Sequence, residues 1–239
     1  NLLILSGGDM LNKGTPTWSD EYTCVEWPWF NGLVDAMALG NHDFDYGQDL
    51  FNACKAKVTY PIISANYVGA DGVPLLQADG KPYIVKTVGG VKLGLFAVAG
   101  SEFPSLVTAA NRAPGATFSD RIAAAKTIVA TLRDVEKVDA VVLFGHELRE
   151  DDTALAQAVP GIDLILGTHS HYEGELTKLP NTNTYFISPF QYLTYFSQVE
   201  LSFTGGKLTG VTGHLVKMDQ TMPQDAALAA QVTQMQKDL

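Results

Sequence analysis

Basic charge is scarce in this sequence: 16 Lys and Arg stand against 26 Asp and Glu, for a net charge of −10, and the five His are scattered. Without a basic stripe to neutralise a phosphate backbone, a nucleic acid polymer is not expected as a partner. Long apolar runs are also absent, none reaching the roughly 18 residues of a membrane span. Cysteine is nearly absent. Cys24 and Cys54 can pair in an oxidising compartment, but two thiols in 239 residues decide nothing about location. There is no internal repeat and no basic, then apolar, then small-residue export pattern; the chain opens on Asn1 and LLILS, as if something upstream had been removed. What is plentiful is apolar surface, at 46% hydrophobic against 18% charged residues, enough for a substantial core in one large domain or two small ones.

Short Val, Ile, Leu and Phe runs alternate with helical stretches, the pattern of an α/β fold. Strands are expected at Leu2 to Ser6, Ala36 to Leu39, Ile62 to Ala65, Val91 to Ala97, Ala140 to Phe144, Leu164 to Leu166 and Tyr185 to Ser188. Runs such as DAVVLFG and IDLILG are apolar throughout, so their sheet should be covered on both faces. A helix is predicted over Asp120 to Val135 with Ser119 as its N-cap. Gly89-Gly90 and Gly205-Gly206 predict hairpins. After residue 218 the chain turns polar and Ala/Gln-rich, so residues 219–239 read as a turn at Pro223 and a helix, a linker beyond a domain at 1–218. Trp27 and Trp29 read as helix packing residues, with a cover over a site mouth as the other use of the Trp18 to Phe30 segment.

Metal-capable residues follow the strand ends. Asp9 follows LLILSGG, Asn41 and His42 follow AMALG, His146 follows VVLFG, and His169 and His171 follow LILGT. In an open α/β sheet the carboxyl ends of strands face one crevice, where ligands bind. Singly, each residue has a bland explanation: Gly-Asp after a strand is usually a turn, and one His is usually a surface or hydrogen-bonded residue. His214 stays in that class, whereas four of five His at strand ends favour a site. Carboxylate, amide oxygen and imidazole suit divalent Zn, Mn, Fe or Co. An Asp can bridge two ions, and a pair roughly 3.5–4 Å apart would clamp a phosphate and acidify bound water.

GGD at Gly7 to Asp9, GNHDFDYG at Gly40 to Gly47, GH at Gly145-His146 and GTHSH at Gly167 to His171 resemble, in order and spacing, the calcineurin-like metallophosphoesterases. NHDFDYG, SANY and AVPGIDLILGTHSH bring the resemblance nearest to the 5′-nucleotidase catalytic domain. It implies a four-layer α/β-β/α sandwich and two divalent metal ions. Carried over by position, it makes Asp9 the bridging ligand, Asn41, His146 and His169 the other ligands of one metal, and His171 a ligand of the second. His42 is then the catalytic histidine, Asp45 the carboxylate that orients it, and Asn66 a substrate-binding residue. Asp43 and Tyr46 read as turn and packing residues, and Glu147 as either a neighbour of the metal ligands or solvated surface.

Members of the family begin with an Asp-x-His pair on a first strand, giving further ligands to the second metal; no such pair precedes Asp9. The first strand and a C-terminal domain that stacks on the base are expected outside this sequence. The resemblance implies hydrolysis of phosphate esters by metal-activated water, with a nucleotide as substrate and an extracytoplasmic location. The alternatives are a 2′,3′-cyclic-nucleotide phosphodiesterase, a related sulfur-ester hydrolase, and a degenerate non-catalytic metal-binding module.

Overall fold

Runs of apolar residues that alternate between two partners build two sheets with one interior between them. The computed structural model describes residues 1–13 and 16–239. In the first sheet Leu5–Ser6, Ala36–Ala38 and Ile62–Val68 run parallel, while Pro74–Leu76 and Thr117–Phe118 pair antiparallel with Ile62–Val68. In the second the order is Glu173–Lys178, Tyr185–Pro189, Leu164–Leu166, Ala140–Leu143, Val91–Phe96, Tyr83–Val88; the middle four are parallel and each edge strand is antiparallel to its neighbour.

Successive residues of a strand point to opposite faces, and the cores follow that rule. Ala36, Ala38 and Ile63 meet Leu93, Leu95, Ala140, Val142 and Phe144 between the sheets. Met37, Leu39 and Ile62 point the other way, into a core with Trp27 and Phe51. Phe96, Val141 and Leu143 pack on the far side against Ile128, Leu132 and Leu155 from two helices. Helix, sheet, sheet and helix therefore stack as the expected sandwich, and the strands are apolar throughout because both faces are buried.

A strand forms at each expected place, the first shortened from Leu2 to Ser6 to Leu5–Ser6 alone, and Gly89-Gly90 and Gly205-Gly206 turn the two hairpins, all four glycines at positive φ. The predicted helix differs in detail. It is α-helical over Arg121–Ala130 and widens to a π-helical turn over Thr131–Val135. Its cap is Asp120 rather than Ser119: the Asp120 carboxylate accepts from Ala123 N, an anion at the positive helix end, while Ser119 N donates to Asn66 O at 2.8 Å. The tail forms a helix at Ala226–Asp238, with Tyr22 Oη donating to Met235 O.

Trp27 is fully buried in a short helical turn, Trp27–Phe30, next to a Cys24–Cys54 disulfide whose two residues are also fully buried. The bridge ties this turn to the helix Gln48–Lys55, which follows the NHDFD turn. It closes a separation of 30 residues, so removing it by a Cys24→Ala/Cys54→Ala double variant should cost about 3.6 kcal/mol. Calorimetry should show a lower Tm than the oxidised parent; an unchanged Tm would contradict a stabilising bridge.

Candidate metal centre

Four parallel strands end three residues before a candidate ligand: Ser6 before Asp9, Ala38 before Asn41, Leu143 before His146 and Leu166 before His169. The first two strands belong to one sheet and the last two to the other, so the site lies where the two rims meet. Contact between the connecting loops leaves no room for side chains. A Cβ on Gly40 would sit 2.2 Å from both Asp9 N and Asp9 Oδ1, and one on Gly7 would sit 2.0 Å from Thr168 Cγ2. Asp9, His169 and His171 hold φ of +56°, +49° and +49°, a left-handed backbone that costs residues with a Cβ about 1–3 kcal/mol each.

Asp9, His146 and His169 come together so that one ligand atom from each lies within 4.8 Å of the others. His146 Nδ1 lies 2.6 Å from Gly7 O. A carbonyl only accepts, so Nδ1 carries the proton. His146 Nε2 then faces Asp9 Oδ2 at 3.0 Å, and among the described residues neither it nor the buried Asn41 Oδ1 has a hydrogen-bond partner. Electron-rich atoms gathered without a donor between them fit a divalent cation.

The charges respond accordingly. Burial alone would raise the Asp9 carboxyl, but His146 and His42 outweigh it and hold it below the usual carboxylate range. Burial opposes a charge on His146, yet Asp9 raises it overall. His169 is lowered by burial and by the neighbouring His146. A cation between Asp9 and His146 would compete with protonation of the pair.

His42 and Asp45 pair as the spacing predicts, Nδ1 to Oδ2 at 2.8 Å in a one-turn helix over His42–Phe44. Asp45 Oδ2 also accepts from Lys13 N at 3.0 Å, which fixes the carboxylate. The imidazole side chain is 44% exposed, so Nε2 can meet a ligand. His42 N donates to Asp9 Oδ1 at 2.8 Å and joins this pair to the metal-capable group.

His171 lies outside the three-residue group: its side chain is exposed and its ring stands 5.7 Å from that of Tyr192. Asn66 is buried, and its amide serves the backbone, donating to Ala99 O and Ser119 O and accepting from Ala99 N. Ala99 bridges His146 in turn, so Asn66 buttresses the His146 loop from behind. It also lines a cavity of about 310 Å³ with Gly100, Ser101, Phe118 and Arg121.

Two residues gain roles that spacing did not reveal. Asp43 is fully buried and accepts from Gly40 N, Met10 N and Asp9 N at 2.8, 2.9 and 3.3 Å, so one carboxylate joins the Asp9 and Asn41 loops. Burial, then the Asp9 charge, pushes its carboxyl up to about 7. Glu147 is fully buried, which removes the solvated-surface alternative; it lies 3.2 Å from Arg121 Nη1, and burial pushes it up to about 8. A third residue, Glu102, places Oε2 3.3 Å from His169 Nε2. Periodicity offered no signal for any of them, because each depends on which loops meet.

Comparison with known proteins adds to this geometry. A family model described as calcineurin-like phosphoesterase matches residues 1–173. The chain is 30% identical over 261 residues to a 5′-nucleotidase of Diplobatis ommata and 31% identical over 261 residues to one of Rattus norvegicus; these alignments take in 100% and 98% of the chain but 44% and 43% of the relatives. It thus spans under half the length of these curated relatives. The fold superposes with a TM-score of 0.81 on a 5′-nucleotidase precursor from Thermus thermophilus, at 23% identity, covering 98% of this chain and 48% of that one.

Asp43→Ala would strip three backbone N–H groups of their acceptor. Unsatisfied buried groups cost about 1–3 kcal/mol each where water cannot replace the partner, so the metal-free variant should lose at least about 2 kcal/mol in denaturant unfolding. A midpoint equal to that of the parent would show that Asp43 does not hold the two loops.

Proposed function

The chain belongs to the calcineurin-like phosphoesterase family, and from that premise we propose that it is the catalytic part of a metal-dependent phosphomonoesterase acting on nucleotides. One observation carries the reading: Asp9, His146 and His169 converge, with Asn41 Oδ1 buried and unsatisfied, beside a hydrogen-bonded His42–Asp45 pair. We assign Asp9, Asn41, His146 and His169 as ligands of a divalent ion. Such an ion, when bound, supplies Lewis-acid polarisation of a phosphoryl oxygen and acidifies a water ligand. The nucleotide class comes from the relatives named 5′-nucleotidase.

The protein's own groups do the rest. Asp45 holds His42 Nδ1 as a donor, which leaves Nε2, on the exposed side, as the site of proton exchange. Protonated there, His42 stabilises charge developing on the phosphate or delivers a proton to the leaving oxygen. Asp43 keeps Asp9 and His42 in register by holding the backbone of both loops. The buried Cys24–Cys54 bridge supports work outside the reducing cytoplasm, and no described helix is long and apolar enough to cross a membrane.

The test is release of inorganic phosphate from 5′-nucleoside monophosphates with added Mn²⁺, Zn²⁺ or Co²⁺, set beside 2′,3′-cyclic nucleotides and thiosulfate esters. Turnover of the monophosphates should stop on chelation and return with metal. His42→Ala should lower kcat by about 10²–10⁴-fold while bound metal is retained. Preference for a cyclic diester or sulfur ester would move the assignment to that substrate, and metal binding without turnover of any of them would make the protein a binding module.

A further inference from the structure

The two imidazoles of the metal-capable group are held by opposite nitrogens. His146 gives Nδ1 to the Gly7 carbonyl at 2.6 Å, whereas His169 meets Glu102 Oε2 through Nε2 at 3.3 Å. A neutral imidazole has one N–H and one lone pair. The nitrogen that donates to an oxygen cannot coordinate, so the partner of each ring chooses its coordinating atom.

The Glu102 side chain is 46% exposed, but its backbone is fixed. Its own carbonyl accepts from Ser105 N and Leu106 N at 2.9 and 3.0 Å and from Ser105 Oγ at 2.7 Å. The preceding turn is fastened to the site, with Gly100 N donating to His146 O at 2.9 Å and Ser101 N to Asp151 Oδ2 at 2.8 Å. The next residue, Phe103, is fully buried, with its ring 5.9 Å from that of His146 and 6.2 Å from that of His169. His169 needs such support, because its φ of +49° is a backbone state that a residue with a Cβ does not hold unaided.

We propose that Glu102 is a positioning residue of the metal centre, which accepts the Nε2 proton of His169 and so leaves Nδ1 as the coordinating atom. The assignment rests on the metal reading above. It adds to the site a carboxylate whose loss acts through His169.

Co²⁺ binding, followed by its visible absorption in competition with a chelator, tests this without any assay of turnover. Glu102→Ala should weaken Co²⁺ binding roughly 10- to 100-fold. Glu102→Gln keeps a side-chain oxygen able to accept from Nε2 and should recover most of that loss. In a His169→Ala background, Glu102→Ala should add nothing further. Wild-type affinity in Glu102→Ala would overturn the proposal, as would a Gln variant as weak as the Ala variant, or additive losses in the double variant. A protein that follows the predicted pattern yet hydrolyses no phosphate ester would refute the proposed activity and leave the role of Glu102 standing.

Discussion

Much of the site follows from the proton on His146 Nδ1. Because it is committed to the Gly7 carbonyl, the imidazole turns Nε2 toward Asp9 and presents a lone pair to a carboxylate 3.0 Å away. Either a proton or a cation must sit between them. The same hydrogen bond runs from a loop of one sheet to a loop of the other, so the tautomer of a candidate ligand and the closure of the two rims are one constraint. Gly7 can offer its carbonyl there because it has no Cβ to strike Thr168.

Beneath the exposed chemistry lies a tier of buried carboxyl groups that fix backbone. Asp43 collects three N–H groups from the first sheet's loops. On the other side Arg121 reaches Glu147 and Asp151 at 3.2 and 2.8 Å, tying the helices Arg121–Ala130 and Arg149–Ala158 together behind His146. Burial and the neighbouring Glu147 push Asp152 well above the carboxylate range. Burying such groups costs more than their attraction usually returns. Their contribution here is geometric: they hold strained loops where the metal-capable side chains converge.

The sequence made the strand ends legible because apolar runs stop at glycines, and Asp9, Asn41, His146 and His169 each stand just beyond one. The three-residue spacing of His42 and Asp45 likewise foretold their hydrogen bond, since one helical turn spans it. The choice between the two readings of Glu147, and the role of Asp43, were illegible because burial of a charged residue is a tertiary fact: Asp43 looks like any turn aspartate until Met10 and Gly40 are seen to converge on it. Glu102 was hidden for the same reason, its partner being 67 residues away. The π-helical turn at Thr131–Val135 has no signature in a helical periodicity, and the choice of Asp120 over Ser119 as cap depends on Ser119 having a partner in a strand.

Whether these four side chains hold a cation is decided by an anomalous difference map from crystals grown with Mn²⁺ or Zn²⁺. An ion peak is expected roughly 2.0–2.2 Å from Asp9, Asn41 Oδ1, His146 Nε2 and His169, with His146 Nδ1 still bonded to the Gly7 carbonyl. A map with no ion among these four side chains, or with His146 turned so that Nδ1 leaves Gly7, would contradict it.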